Sequence, residues 1–168
     1  AGVMKKIVIA TKNQGKLREM RQAFAHLPVE VVALDAFAGI PEPVEDGATF
    51  EENARIKAHA YALATHCACV ADDSGLEVAA LGGAPGVHSA RFSGTHGDDA
   101  ANNEKLVAEL AARGLTQSAA DYRCALVFED TDGTVYTADG RCDGTVRTQP
   151  RGEGGFGYDP LFLSTDLN

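Results

Sequence analysis

The hydrophobic positions at the start of the chain follow the two periods expected of strands and helices. Met4 to Ala10 is a short apolar run with β-branched residues, which predicts a strand. Apolar residues then recur every three or four positions, which predicts a helix with one buried face that ends before Pro28. A second apolar run, Val29 to Leu34, predicts the next strand. The apolar positions of the helical pattern are Leu17, Met20, Phe24 and Leu27.

The segment after the second strand changes from apolar to acidic and proline-rich. Residues 40–47 combine two prolines with three acids, which predicts an exposed, stiffened loop that fits either a linker or a site. Thr49 and Glu52 then have the spacing of a capping box, in which each side chain bonds the backbone of the other end. This pattern predicts an alanine-rich helix from about Phe50 to His66.

A short buried strand predicted over Cys69 to Ala71 leads directly into two acids, Asp72 and Asp73. These carboxylates are therefore expected at the C-terminal end of a strand, which is where ligands bind in open α/β sheets. The glycine-rich stretch that follows, Gly82 to Gly86, is expected to contain few regular hydrogen bonds.

The second half of the chain has a different pattern. Asp98 is a predicted N-cap for a third helix. Two strand-like runs then flank Asp132-Gly133, a strong hairpin signal, and Asp143-Gly144 predicts one more turn. Strand and helix alternation in the first half with an antiparallel meander in the second predicts a mixed α/β fold.

Composition and charge narrow the classes of function. A length of 168 residues predicts a single domain, and we treat residues 1–3, which precede an initiator-like Met4, as a remnant outside it. The formal net charge of −9 disfavours binding to nucleic acid. No apolar run approaches the roughly 20 residues of a membrane helix and no secretory signal is present, so we expect no membrane partner and a cytoplasmic location.

The loop between the first strand and the first helix has the composition of a phosphate-binding loop. Backbone N–H groups at a helix N-terminus, together with the helix dipole, stabilise a bound phosphate, and two lysines add positive charge. The alternative is a polar turn in which Asn13 only caps the helix. The residues of this loop are Thr11, Lys12, Asn13, Gln14, Gly15 and Lys16.

Acidic residues form the second candidate cluster. Glu45, Asp72 and Asp73 supply hard oxygen ligands, and Mg²⁺ typically binds one or two carboxylates while keeping water and phosphate oxygens in its shell. For Glu45, a solvated acidic loop is the alternative. Lys57 lies one helical turn after Asn53, so both residues share a face of the helix.

A glycine-rich segment near the end of the sequence, residues 154–160, holds two aromatic residues and an acid. An aromatic ring there can stack on a nucleobase while a backbone amide or Asp159 binds its polar edge. The alternative is a loop that is simply anchored by its aromatic residues.

Taken together, these segments resemble the inosine triphosphate pyrophosphatase family, enzymes that remove noncanonical purine triphosphates. One such motif is a weak signal, but four in the same order along the chain are specific. The matching segments are 9–16, 47–54 with Lys57, 71–76 running through 82–86 to 89–91, and 155–160.

The resemblance implies a fold and an assembly. The expected fold is an elongated mixed β-sheet flanked by helices, in two lobes with a central nucleotide cleft. Residues 4–168 would form a single nucleoside-triphosphate pyrophosphatase domain, usually a homodimer. Family members continue past this point with a lysine and a Ser-His-Arg segment that close over the purine, so the resemblance places part of base recognition outside this sequence.

The resemblance also implies residue roles. Asp73 would accept the proton of the attacking water and, with Glu45, would hold Mg²⁺. Lys57 would approach the phosphates, and Phe156 would lie near the base. The full set of implied substrate contacts is Thr11, Lys12, Asn13, Gln14, Gly15, Lys16, Lys57, Ser74, Phe156, Gly157, Tyr158 and Asp159.

The resulting prediction is an enzyme that hydrolyses ITP, dITP and XTP to the monophosphate and pyrophosphate with Mg²⁺ as cofactor. One alternative is a pyrophosphatase for another modified nucleotide or a pyrimidine nucleotide. The other is a non-catalytic nucleotide sensor. Asp73 argues against the sensor, because phosphate binding alone does not need a carboxylate beside the anion.

Overall fold

The computed structural model describes residues 5–150, 157–158 and 160–165. Its main elements in these ranges are strands and α-helices, joined by short 3₁₀ turns at 34–36, 79–81 and 86–91. In chain order they are β1 (Lys5–Ile9), α1 (Gln14–Phe24), β2 (Val29–Ala33), α2 (Phe50–Thr65), β3 (Ala68–Val78), α3 (Asp99–Ala112), β4 (Gln117–Glu129), β5 (Val135–Arg147) and β6 (Phe162–Ser164).

The strands form a six-stranded mixed sheet in the order β2-β1-β3-β4-β5-β6. β1 pairs in parallel with β2 and with β3, and β5 pairs antiparallel with β6. β4 and β5 are joined by the predicted hairpin, in which the Asp130 N–H donates to the Thr134 carbonyl and Gly133 has a positive φ of 88°. The predicted α/β fold class is therefore confirmed.

The helix boundaries follow the predicted capping residues. Thr49 accepts a hydrogen bond from the Glu52 N–H at the start of α2, and Asp98 accepts from the Ala101 N–H at the start of α3. The prediction for α1 was wrong at one position. The helix ends at Phe24, so Leu27 lies outside it and is 50% exposed rather than buried.

A predicted strand end and a predicted turn are both absent, because the strands continue through them. β3 runs on past Asp72 and Asp73, since Leu76 and Val78 are fully buried and extend the strand, so the two acids lie within β3 and not at its end. β1 pairs with β3 only as far as Val70, so the acids still follow the last parallel pair.

The absent turn is at Asp143-Gly144, where β5 is unbroken. Gly144 pairs with Ser164 of β6, and a Cβ atom at Gly144 would collide with the Leu163 carbonyl oxygen and the Phe162 ring. The glycine therefore permits close strand packing, which a local turn signal cannot distinguish from a reversal of the chain.

The chain divides into two compact units. Unit 1 comprises residues 1–73 and 125–139. Its strands bury a side chain on each face in alternation. Val8, Cys69 and Ala71 pack with residues of α2 in one cluster, while Ile9 and Val70 pack with Leu17 of α1 in the other.

Unit 2 comprises residues 74–124 and 140–168. Its core contains Leu106 and Leu110 of α3 packed with Leu76, Val78 and Val146 of the strands. In the described part of the chain, no helix has both the length and the apolar composition needed to cross a bilayer.

Candidate active site

The loop after β1 is organised by its own side chains. Thr11 Oγ1 accepts a hydrogen bond from the Asn13 N–H, and Asn13 Oδ1 accepts one from the Lys16 N–H at 2.9 Å. Asn13 is thus the N-cap of α1. The N–H groups of Gln14 and Gly15 have no acceptor among the described residues, as expected in the first turn of a helix. Capping and anion binding are therefore compatible in this loop.

The two lysines of the loop have different surroundings. Lys12 is exposed and forms an ion pair with Glu42. Lys16 reaches β3, where its Nζ lies 2.7 Å from Oδ2 of Asp72, whose side chain is almost completely buried. Lys16 therefore compensates the charge of a buried carboxylate, because an ionised group in a dry environment is costly without a partner.

Neighbouring positions on β3 point to opposite sides of the strand, which separates the two acids. Asp72 is two positions after Val70, so its side chain lies on the same side of the strand, which is the side of α1. Asp73 is two positions after Ala71, so its side chain lies on the side of α2, where it accepts a hydrogen bond from Asn53. The two adjacent carboxylates therefore have partners on different helices, Lys16 of α1 for Asp72 and Asn53 of α2 for Asp73.

Asp73 lies in an environment that favours its protonated form. Burial raises the pKa of Asp73 to about 6, opposed by the positive charge of Lys57 and the hydrogen bond from Asn53, while Glu45 and Asp72 raise it further. Its Oδ2 atom is buried and has no hydrogen-bond partner among the described residues. A buried carboxylate oxygen without a donor is unusual and points to a group that is supplied from outside the chain.

Lys57 connects the acidic loop to β3. Its Nζ donates to the backbone carbonyl of Asp72 and lies 3.4 Å from Oε1 of Glu45. The predicted placement of Lys57 and Asn53 on one face of α2 is consistent with these contacts, because Asn53 bonds Asp73 from the same helix. The structure thus brings Glu45, Lys57 and Asp73 together.

The donor set fits a small divalent cation that is held mainly by water and substrate. Glu45 lies close enough to Asp73 for its negative charge to raise the pKa of Asp73. No cluster of three or more His, Cys, Asp or Glu side chains with metal-binding geometry occurs in the described ranges. Two carboxylates, one with an unpartnered oxygen, match the pattern in which Mg²⁺ takes few protein ligands.

A cavity of about 350 Å³ opens beside the loop in unit 1. The loop residues Thr11, Lys12 and Gln14 line one side, and Phe37 and Ile40 line another. Asp73 and Lys57 do not line this cavity, so the candidate site is defined by its charged groups and not by cavity shape.

The remaining predicted residues belong to unit 2 or lie outside the described ranges. Phe156 and Asp159 are outside them. Ser74 lies within β3. The side chain of Tyr158 packs in the core and donates to the Ser89 carbonyl at 2.8 Å, so a nucleotide contact by this residue would involve its backbone. The Gly157 N–H donates to Asp99 of α3.

Two features of the site were not predicted from the sequence. The pairing of Asp72 with Lys16 could not be read from spacing, because the two residues are 56 positions apart. The contacts of Asn53 also went unrecognised, although a buried-face asparagine in an alanine-rich helix is a usable signal, since a buried amide needs partners.

This chain is similar to known proteins in sequence and in structure. The sequence model of the Ham1 family matches residues 7–168. A dITP/XTP pyrophosphatase of Syntrophobacter fumaroxidans is 55% identical over 156 residues, which are 93% of this chain and 66% of that protein. One of Geobacter sulfurreducens is 46% identical over 163 residues, 97% of this chain and 82% of that protein. The chain therefore spans just under two thirds of the first relative and about four fifths of the second.

Solved structures show the same fold. A crystal structure of a nucleoside-triphosphatase, dITP/XTP pyrophosphatase, from Mycobacterium abscessus aligns with a TM-score of 0.83 at 42% identity, over 95% of this chain and 84% of that one. A HAM1 protein from Coxiella burnetii aligns with a TM-score of 0.86 at 37% identity, over 95% and 81% of the respective chains.

Proposed function

This chain belongs to the Ham1 family, and we propose that it hydrolyses noncanonical purine nucleoside triphosphates such as dITP, ITP and XTP to the monophosphate and pyrophosphate. The observation that carries the proposal is the position of Asp73, a half-buried aspartate whose buried Oδ2 has no partner among the described residues, in the same unit as Lys57 and the loop 11–16. The relatives named dITP/XTP pyrophosphatase support the choice of substrate.

The proposed phosphate contacts come from the loop and two lysines. The unpartnered N–H groups of Gln14 and Gly15 donate to phosphate oxygens, and Thr11, Lys12 and Asn13 complete the loop. Lys16 and Lys57 place positive charge near the phosphates, which stabilises the negative charge that develops during cleavage.

Asp73 is the proposed proton acceptor for the attacking water. A general base works best when its pKa lies near the working pH, and the pKa of about 6 places Asp73 mostly in its ionised form at pH 7. The hydrogen bond from Asn53 favours the ionised carboxylate, and Oδ2, which has no partner among the described residues, is the proposed proton acceptor.

Mg²⁺ is the proposed cofactor, held by Glu45 and Asp73. When bound, it would neutralise phosphate charge and help to orient the substrate. Lys57 beside Glu45 keeps the local charge balanced and holds that carboxylate toward Asp73.

Recognition of the nucleoside is proposed for unit 2 residues. By resemblance, Ser74 and the segment from Phe156 through Gly157 and Tyr158 to Asp159 contact the nucleotide, with Phe156 near the base. The same resemblance supports two further proposals, a homodimer and a cytoplasmic location, where the nucleotide pool is found.

The test is a pyrophosphate-release assay over ITP, dITP, XTP, GTP, ATP and the pyrimidine triphosphates, with and without Mg²⁺. We expect pyrophosphate and monophosphate from the first three substrates and at least ten times slower turnover of ATP and GTP, a ratio equal to about 1.4 kcal/mol. Binding of nucleotide without hydrolysis would favour a sensor. Preference for a pyrimidine would reassign the substrate class.

A further inference from the structure

Asn53 forms a bridge between two parts of the candidate site. It lies in the first turn of α2 and is only 2% exposed. Its Oδ1 accepts a hydrogen bond from the Gly47 N–H at 2.8 Å, and its side chain also hydrogen-bonds Asp73. One buried amide therefore joins the acidic loop 40–47 to strand β3.

The orientation of this amide is determined by its partners. The Gly47 N–H can only donate, so it must face the carbonyl oxygen of Asn53. An ionised Asp73 can only accept, so it must face the NH₂ group. Oδ2 of Asp73 has no hydrogen-bond partner among the described residues.

The chain approaches Asn53 closely at Gly47. A Cβ atom at Gly47 would lie 2.7 Å from the Glu52 Cβ and 2.8 Å from Asn53 Oδ1, which is too near for any other residue without a shift. Glu45 lies two residues before this contact, on the same short loop. The position of Glu45 therefore depends on the contact between Gly47 and Asn53.

We propose that Asn53 is a positioning residue that holds the loop bearing Glu45 and the carboxylate of Asp73 at one fixed separation, so that the two carboxylates form a preorganised divalent-cation site. This inference rests on the proposed function, which identifies Glu45 and Asp73 as the two metal-binding carboxylates. Asn53 itself touches neither metal nor substrate; it acts through Asp73 and the Gly47 N–H.

The side-chain chemistry at position 53 is restrictive. Leucine has the same branching but is larger, and it neither donates nor accepts a hydrogen bond. Aspartate keeps the acceptor for Gly47 but, when ionised, repels Asp73 and cannot donate to it. Both partners are satisfied only by an amide of this length, because glutamine would add one methylene to a packed interior.

Asn102 provides a matched control in unit 2. It is also 2% exposed and lies in the first half of α3, where Oδ1 accepts from the Ser93 N–H at 2.8 Å and Nδ2 donates to the Ala90 carbonyl at 3.1 Å. It thus bridges a loop in the same manner, but within the described ranges its side chain has no hydrogen bond to a carboxylate. Substitution there reports the general cost of losing a buried asparagine.

The experiment compares Asn53→Leu and Asn53→Asp with Asn102→Leu in the complete chain. The first readout is binding of Mn²⁺ to the nucleotide-free protein, followed by electron paramagnetic resonance. We expect the Asn53 variants to bind Mn²⁺ about 10–100 times more weakly, the range typical for residues that orient metal ligands. Asn102→Leu should change this affinity less than about threefold at a temperature where all variants are folded.

The second readout separates kcat from KM. Positioning of the carboxylates predicts a lower kcat at saturating ITP and a higher Mg²⁺ requirement, with the metal-free affinity for the triphosphate unchanged. The inference is overturned if Asn53→Leu and Asn102→Leu lose Mn²⁺ affinity and kcat equally, or if the Asn53 variants keep the wild-type Mn²⁺ affinity. Absence of Mn²⁺ binding by the wild-type protein also overturns it.

Gly47→Ala tests the same relationship without changing Asn53. The added methyl group must displace the loop from the amide, so Mn²⁺ affinity should fall as in Asn53→Leu, and an unchanged affinity contradicts the proposal. If an Asn53 variant does not fold, Gly47→Ala still tests the proposal. The experiment also separates failure of this inference from failure of the proposed function. A wild-type protein that binds Mn²⁺ but releases no pyrophosphate refutes the proposed activity, while the Mn²⁺ affinities of the variants still test the role of Asn53.

Discussion

Lys16 Nζ lies 2.7 Å from Asp72 Oδ2, and the side chain of this aspartate is only 6% exposed. The lysine that is proposed to bind phosphate is therefore also the counter-ion of a buried carboxylate. An ion pair of this kind is costly to break from one side, because the remaining charge stays buried. Lys16 is therefore expected to contribute both to the stability of the fold and to phosphate binding. A pair of substitutions can separate these two contributions.

Lys16→Ala is expected to weaken triphosphate binding far more than binding of the free nucleoside, because the lysine interacts with charge and not with the base. It should also lower the free energy of unfolding by about 1–3 kcal/mol, since Asp72 loses its partner. In Lys16→Ala/Asp72→Asn, stability should largely return while triphosphate affinity stays low. Titration calorimetry and denaturant unfolding measure the two effects, and equal losses for nucleoside and triphosphate contradict the placement.

Asp73→Asn should reduce turnover by about 10²–10⁴-fold, the usual contribution of a general base, while triphosphate binding remains measurable. The amide keeps the shape of the side chain but loses its basicity and much of its affinity for a cation. Steady-state release of pyrophosphate gives the rate, and a binding assay with a non-hydrolysable analogue gives the affinity. A near-normal rate would remove Asp73 from the mechanism.

The same substitution should stabilise the metal-free protein in a pH-dependent manner. The folded pKa of Asp73, about 6, is above the ordinary value of 3.8, so ionising this group costs folding free energy. The cost is absent below about pH 4, grows between pH 4 and 6, and is complete above that, where it reaches about 3 kcal/mol at most.

Asp73→Asn removes this cost, so its advantage in unfolding free energy should be small at pH 4 and largest at pH 8. Denaturant unfolding at both values in the presence of a chelator measures the difference. An advantage that does not change with pH would show that Asp73 has an ordinary pKa.

Removal of divalent metal with a chelator should abolish turnover, and added Mg²⁺ should restore it. Glu45→Gln should raise the Mg²⁺ concentration for half-maximal activity at least about tenfold, because an amide oxygen carries no net charge. Asp46→Asn is the matched control, since Asp46 is an exposed acid in the same loop. If both variants respond equally to Mg²⁺, Glu45 has no special part in metal binding.

Gly144→Ala should lower the free energy of unfolding by about 1–3 kcal/mol, the usual cost of overpacking, because its methyl group would meet the Leu163 carbonyl and the Phe162 ring. Gly140→Ala is the control on the same strand, since no atom lies within 4 Å of its added Cβ. Chemical denaturation of both variants gives the comparison. Equal stability would mean that β6 does not approach β5 closely at this position.

The amino-acid sequence by itself determined the helices, their caps and the parallel strands of unit 1. These elements depend on local patterns, such as the capping box at Thr49 and Glu52 and the apolar run before Thr11. The hairpin at Asp132-Gly133 was predictable for the same reason. The candidate phosphate loop and acids were also identified from sequence, because they adjoin these elements.

Only the tertiary structure decided how these residues are paired. Strand alternation places Asp72 on the side of α1 and Asp73 on the side of α2, so adjacent acids receive different partners. The partners, Lys16 and Asn53, are distant in the chain or carry no local signal for the contact. The continuation of β3 past its predicted end and of β5 through a predicted turn likewise depends on burial and strand packing. Local sequence encodes turn preference, but packing between distant segments determines whether the chain turns.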